Sequence, residues 1–106
     1  MKRTIGIASV ELEKNGRILV RPEAHDTFLF ESIYRAATGV RWRETDQAFL
    51  PDETKGASPS RWFEIIATSV RDELGIDLKL SPSTKWIGIP AEAREEIEAS
   101  ASQRAV

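Results

Sequence analysis

"IASVELEKNGRILVRP", residues 7–22, decides how the chain reads. Asn15-Gly16 lies between two runs of apolar and β-branched residues, the junction at which a tight turn folds two strands into a hairpin. The reading gives strands over 4–13 and 17–21, with Pro22 ending the second. The alternation does not hold one phase: Ile5 and Ile7 point one way, whereas Ala8, Val10 and Leu12 point the other. Side chains alternate across a strand with period two, so either both faces are covered or a bulge near Ala8 resets the register.

What covers this sheet is read downstream. Asp26 or Thr27 caps a helix running to about Thr38, with Gly39 as its left-handed stop. Its broad apolar face is Leu29, Phe30, Ile33, Tyr34, Ala36 and Ala37, and Phe28 falls on the opposite, polar side. Val40 to Glu44 and Ala48 to Leu50 read as short strands around the turn "ETDQ". "PDETKGASPS", 51–60, is the one segment of loop composition throughout, where a mobile flap would belong. A second helix is capped by Ser58, has Pro59 at its first position and stops at Gly75. Phe63, Ile66, Ala67, Val70 and Leu74 make its stripe, Trp62 sits at the edge, and Ile65 projects outside it. "IDLKL", 76–80, and Thr84 to Ile89 read as strands. Pro90 opens a polar helix whose sole large apolar residue is Ile97, so light packing and a frayed end are expected.

Two one-sided helices need an apolar sheet face to cover. The expectation is one α+β domain over 1–106: a mostly antiparallel sheet of five or six strands, two main helices on one face, and a minor C-terminal helix over about 91–106.

The 106 residues allow one core. An apolar share of 41% and a charged share of 30% are those of a folded, water-soluble chain. Without cysteine there is no disulfide framework or thiolate metal site, which suits a reducing cytoplasm. The apolar run Ile5 to Val10 is shorter than the roughly 7 to 15 residues of a signal-peptide core, and nothing approaches the roughly 20 apolar residues of a membrane span. Residues 1–43 hold eight Lys or Arg against five Asp or Glu, residues 44–106 seven against twelve. That asymmetry makes either a basic face or two halves that attract each other.

All three tryptophans follow a basic residue: Arg41-Trp42, Arg61-Trp62 and Lys85-Trp86. In an extended "VRWRE", Trp42 shares a face with Val40 and Glu44, while Arg41 and Arg43 project from the other. Trp42 therefore reads as core. Trp62 and Trp86 lie at element edges, and Gly88 beside Trp86 leaves room for a ring, a backbone or a ligand. Trp42, Trp62, Trp86 and Tyr34 are accordingly the candidate lining of a small-molecule pocket. A single-stranded nucleic acid is the alternative ligand, held by Arg41, Arg43 and Lys85 beside the indoles. It requires a continuous basic groove, and the acidic total argues against one.

Catalytic patterns are sparse. His25, the single histidine, lies between Glu23 and Asp26 in a loop, where a solvated side chain explains it better than a metal site or a hydrolase triad. Phosphate-binding glycine loops and paired metal-ligating histidines are absent from the sequence. No catalytic residue, metal or cofactor is assigned, although a small enzyme working with carboxylates and arginines stays as a further alternative.

At "IYRAATGVRW" (33–42), "WFEII" (62–66) and "DLKLSPSTKWIGIP" (77–90) the chain resembles a group of short, uncharacterised bacterial proteins, some encoded on integron mobile gene cassettes. The likeness spans most of 4–90. It implies a bacterial, cytoplasmic, oligomeric α+β protein and supplies no catalytic residue. The expected function is non-enzymatic binding by a homodimer with a small-molecule or protein partner. Phe28 and Ile65 are the contact candidates, because each lies off its helix's apolar stripe.

Overall fold

The hairpin forms from β1 (Arg3–Leu12) and β2 (Ile18–Pro22), antiparallel from Leu12↔Ile18 to Ile7↔Pro22. At the turn, the Glu13 amide donates to the Arg17 carbonyl at 2.9 Å, and Asn15 Oδ1 accepts from the Arg17 amide at 2.9 Å. The register shifts between Ile7 and Ser9, which makes Ala8 the bulge. Of the two readings the alternation allowed, this is the bulge: Ile5, Ile7 and Val10 are all buried in one core despite their opposite phases.

The computed structural model describes residues 3–24, 26–36, 39–52 and 58–104, with all their side chains except those at 27, 34, 36 and 102–104. His25, the centre of the 51–60 loop and the last two residues therefore lie outside the described residues.

Helix α1 is shorter than predicted. It spans Thr27–Glu31, with the Asp26 carboxylate accepting from the Leu29 amide, and then tightens into a 3-10 segment over Ser32–Ala36. The cause is Ser32, whose hydroxyl donates to the Leu29 carbonyl at 2.6 Å while its amide turns to the same oxygen. A side chain that competes for a helical carbonyl favours the three-residue turn.

Strands β3 (Val40–Arg43) and β4 (Ala48–Pro51) pair antiparallel around "ETDQ". Helix α2 (Pro59–Leu74) has the predicted Ser58 cap and a left-handed Gly75, φ 69°, at its end. It contributes Phe63, Ile66, Ala67 and Val70 to the core cluster that also holds Phe30, Val20, Trp42 and Phe49.

β5 (Ile76–Lys79) and β6 (Lys85–Ile87) both run parallel to β1, β5 against Arg3–Gly6 and β6 against Ser9–Glu11. The sheet is thus six-stranded and mostly antiparallel, in the order β3-β4-β2-β1-β5, with β6 also on β1. Thr84 joins the two short strands. Its buried hydroxyl donates to the Ile7 carbonyl at 2.7 Å and accepts from the Ser81 amide at 3.0 Å, which ties the Ser81–Thr84 turn to the bulge. At Gly88, φ 66°, a Cβ would lie 2.9 Å from the Leu12 carbonyl oxygen, so the room beside Trp86 is taken by backbone.

Helix α3 (Ala91–Arg104) corrects a second expectation. Ile97 is fully buried in the main core, and Ser60 Oγ donates to Glu96 Oε2 at 2.7 Å, so the helix is anchored rather than lightly laid on. With α1 and α2 it completes an α+β fold of three helices.

Candidate functional site

Strand register places the tryptophans. The pairings Trp42↔Phe49, Phe49↔Val20, Val20↔Val10 and Val10↔Trp86 form one cross-strand row on the core side of the sheet. Trp42 and Trp86 end that row, four strand spacings or about 19 Å apart. A single small-molecule pocket does not span that distance.

Trp42 is 7% exposed and packs with Phe30 and Phe49 at centroid distances of 4.9 and 5.0 Å. Its indole Nε1 donates to Glu44 Oε2 at 2.9 Å, the partner a buried indole requires. The half-buried Trp62 ring stands over Gly39, where a Cβ would meet Cη2 at 3.7 Å. The Tyr34 side chain lies outside those described. Among the described side chains of the predicted lining, Trp86 alone borders the cavity described next.

That cavity has a volume of about 440 Å³ and lies at the β5 edge of the sheet. Asp77 to Pro82, along β5 and the turn after it, make one wall, and the half-buried Trp86 indole of β6 adjoins them. Arg71 enters from the last turn of α2, and Arg94, Glu98 and Ala101 come from α3. The Arg94 guanidinium stands 5.0 Å from the Trp86 ring centroid, and its Nε lies 3.5 Å from Glu98 Oε1, the i,i+4 neighbour.

Alternation along "IDLKL" puts the buried Leu78 on the core side and Asp77 and Lys79 on the other, but no local pattern showed that α3 would border this edge. The parallel placement of β5 and β6 on β1 creates the site, and parallel pairing leaves no hairpin signature in sequence.

The basic residues occupy the other sheet face. Ser9 pairs with both Arg21 and Lys85, and Ala48 pairs with Arg43, so all three cations project from the side opposite the indoles of Trp42 and Trp86. Carboxylates interleave them. Arg21 meets Glu11 at 2.8 Å, Arg41 meets Asp52 at 3.2 Å, and Arg43 is paired with Asp46 and lies 3.8 Å from Glu13. Lys85 lies four strands from Arg43, about 19 Å away. Aromatic platforms beside a continuous cationic groove are therefore not assembled on this sheet.

Phe28 is 92% exposed, whereas Ile65 is half-buried against the core cluster. The α2 helix lies deep enough for its flank to be covered as well as its stripe. Among the described residues no three His, Cys, Asp or Glu side chains are grouped to hold a metal ion, and no helix is long and apolar enough to cross a membrane.

No protein-family model and no curated protein matches the chain. Among solved structures it is similar to an integron cassette protein from the mobile metagenome of the North West Arm sewage outfall. The two are 30% identical over 96% of this chain and 98% of that one, with a TM-score of 0.45.

Proposed function

The chain belongs to the integron cassette proteins, and on that premise we propose that it is a non-enzymatic binding protein whose small-molecule ligand enters the cavity between β5, β6 and α3. One observation carries the reading: a cavity of about 440 Å³ is bordered by Trp86 and by charged residues of three elements. Its volume lies within the roughly 300–1,000 Å³ of small-molecule sites, and its lining is more polar than theirs usually is. The reading takes the two main helices to lie over one sheet face, α3 to close the side of the cavity, and the protein to work in the cytoplasm as one domain.

It also includes a homodimer, supported by Phe28, a fully solvated aromatic ring on a short helix that has no use for it in the core. Light scattering that returns a strict monomer removes that part.

The ligand site is tested by screening a chemically mixed fragment set against ¹⁵N-labelled protein. Binding in the cavity moves the Trp86 indole N–H and the amides of 77–81 and leaves the Trp42 indole unmoved. A set that shifts none of the cavity signals refutes the proposal.

A further inference from the structure

The sheet face away from the core divides into two halves. On β2, β3 and β4 it carries Leu19, Ala48 and Leu50, buried together, and its arginines are ion-paired: Arg21 with Glu11, Arg41 with Asp52 and Arg43 with Asp46. Along β5 and β6 the charges are left over. Register sets Asp77 and Lys79 beside Thr4 and Gly6, and Lys85 and Ile87 beside Ser9 and Glu11, all on the side opposite Leu78 and Trp86.

Gly6 brings a fourth charge to this half. It lies between the buried Ile5 and Ile7 and so faces outward. A Cβ there would collide with the Glu23 carboxylate, which rests on the strand while the Glu23 amide donates to the Gly6 carbonyl at 2.8 Å. Because Gly6 pairs with Lys79, Glu23 and Lys79 stand at one height on neighbouring strands. Among the described residues the side chains of Glu23, Asp77, Lys79 and Lys85 make no hydrogen bond or ion pair. Two cations and two carboxylates cancel, and Ile87, 43% exposed, adjoins them.

We infer that this half-face is the surface on which the homodimer forms. Two copies meet outer face to outer face about a two-fold axis parallel to the strands, running between β1 and its edge partners β5 and β6. Such an axis keeps each residue at its own height and exchanges the β1 column with the β5–β6 column, so each Lys79 faces the Glu23 of the other copy and the two Ile87 side chains meet beside the axis. A partner of one sign, such as a nucleic acid, gains nothing from a patch without net charge, whereas a second copy repeats the same charges in the complementary order. Packed sheets lie about 10 Å apart, within reach of a lysine and a glutamate extended toward each other. The inference rests on the homodimer reading and sets the contact on the sheet rather than at Phe28.

The test is sedimentation velocity on the full chain over a concentration series. Lys79→Glu and Glu23→Lys each oppose like charges at two symmetric places and are each expected to weaken self-association about tenfold. Mixed one to one, the two variants are expected to form a heterodimer at about the wild-type affinity, because every contact then joins opposite charges. Ile87→Ser weakens the dimer about tenfold as well, and Phe28→Ser leaves it unchanged. All four positions are exposed, so the variants are expected to fold, and circular dichroism verifies it. A dimer that Phe28→Ser dissolves and the sheet variants leave intact, or charge variants that do not pair when mixed, overturns this surface while the homodimer stands. A wild-type chain that stays monomeric throughout the series removes the homodimer reading and this surface with it.

Discussion

Ile97→Ala removes the one large apolar side chain by which α3 enters the core. The truncation deletes three carbons of a fully buried residue, about 2.4 kcal/mol at roughly 0.8 kcal/mol per methylene. The void left behind brings the expected cost to about 2–4 kcal/mol. How that loss is distributed matters more than its size. The other α3 contacts named above, Ser60 with Glu96 and Arg94 with Trp86, are made by exposed or half-exposed groups. A helix of 14 residues is marginal without tertiary contacts, since isolated helices below about 12–15 residues barely hold in water. Much of the cost is therefore expected as local detachment, with the rest of the fold intact.

Hydrogen exchange followed by NMR reads this directly. Amides of 94–104 lose protection in the variant while those of β1, β2 and α2 keep theirs, and far-UV circular dichroism loses helix before the main denaturant transition. Probe binding at Trp86 is lost with it, because α3 is a wall of the cavity. Ile97→Leu, which preserves volume, costs under about 1.5 kcal/mol and keeps both. If Ile97→Ala changes stability by less than about 1 kcal/mol and α3 amides exchange with the rest of the molecule, Ile97 is not the anchor and the reasoning fails.

Thr84→Val keeps the side chain's shape but leaves the Ile7 carbonyl unpaired, and is expected to cost about 1–3 kcal/mol in urea unfolding, whereas Thr84→Ser stays within about 1 kcal/mol because it retains the hydroxyl; equal stabilities for the two would exclude the bond from the fold's support. Gly88→Ala puts a methyl 2.9 Å from the Leu12 carbonyl oxygen at a left-handed φ, so the melting point is expected to fall, by roughly 4–8 °C for each kcal/mol lost in a domain of this size, and an unchanged melting point contradicts the close approach. In single-tryptophan variants acrylamide quenches Trp86 more strongly than Trp42, following their burial; the reverse order would mean that the Phe30, Trp42 and Phe49 cluster is open to water.

Most of the framework was legible because its signals are local. Asn15-Gly16 specified the hairpin, the phase change at Ala8 offered a bulge as one of two readings, and Ser58-Pro59 with Gly75 bounded α2, since each depends on backbone preferences within a few residues. Trp42 was legible from strand alternation alone. The misreadings share a different cause. The first helix's change to a 3-10 turn rests on one serine hydroxyl, which a periodicity argument passes over. The depth of Ile97 depends on a partner surface assembled from distant segments. The separation of Trp42 from Trp86 was not legible for the same reason: period two gives the face of a strand, whereas distance along the row depends on strand order, which alternation does not encode. Arg71, Asp77, Lys79, Arg94 and Glu98 were each readable as solvent-facing, and only the tertiary fold makes them neighbours.

The position of β1 has a consequence for biosynthesis. It is translated before its partners, and β2 follows at once to occupy one of its edges, but the other edge belongs to β5 and β6, which come some seventy residues later. Until then a nascent chain displays a bare, apolar strand edge, the kind of template on which neighbouring chains pair. A message cut short before the codon for Ile76 would yield a polypeptide with no means of covering it, and such fragments should accumulate as aggregates even though the hairpin they carry is correctly formed.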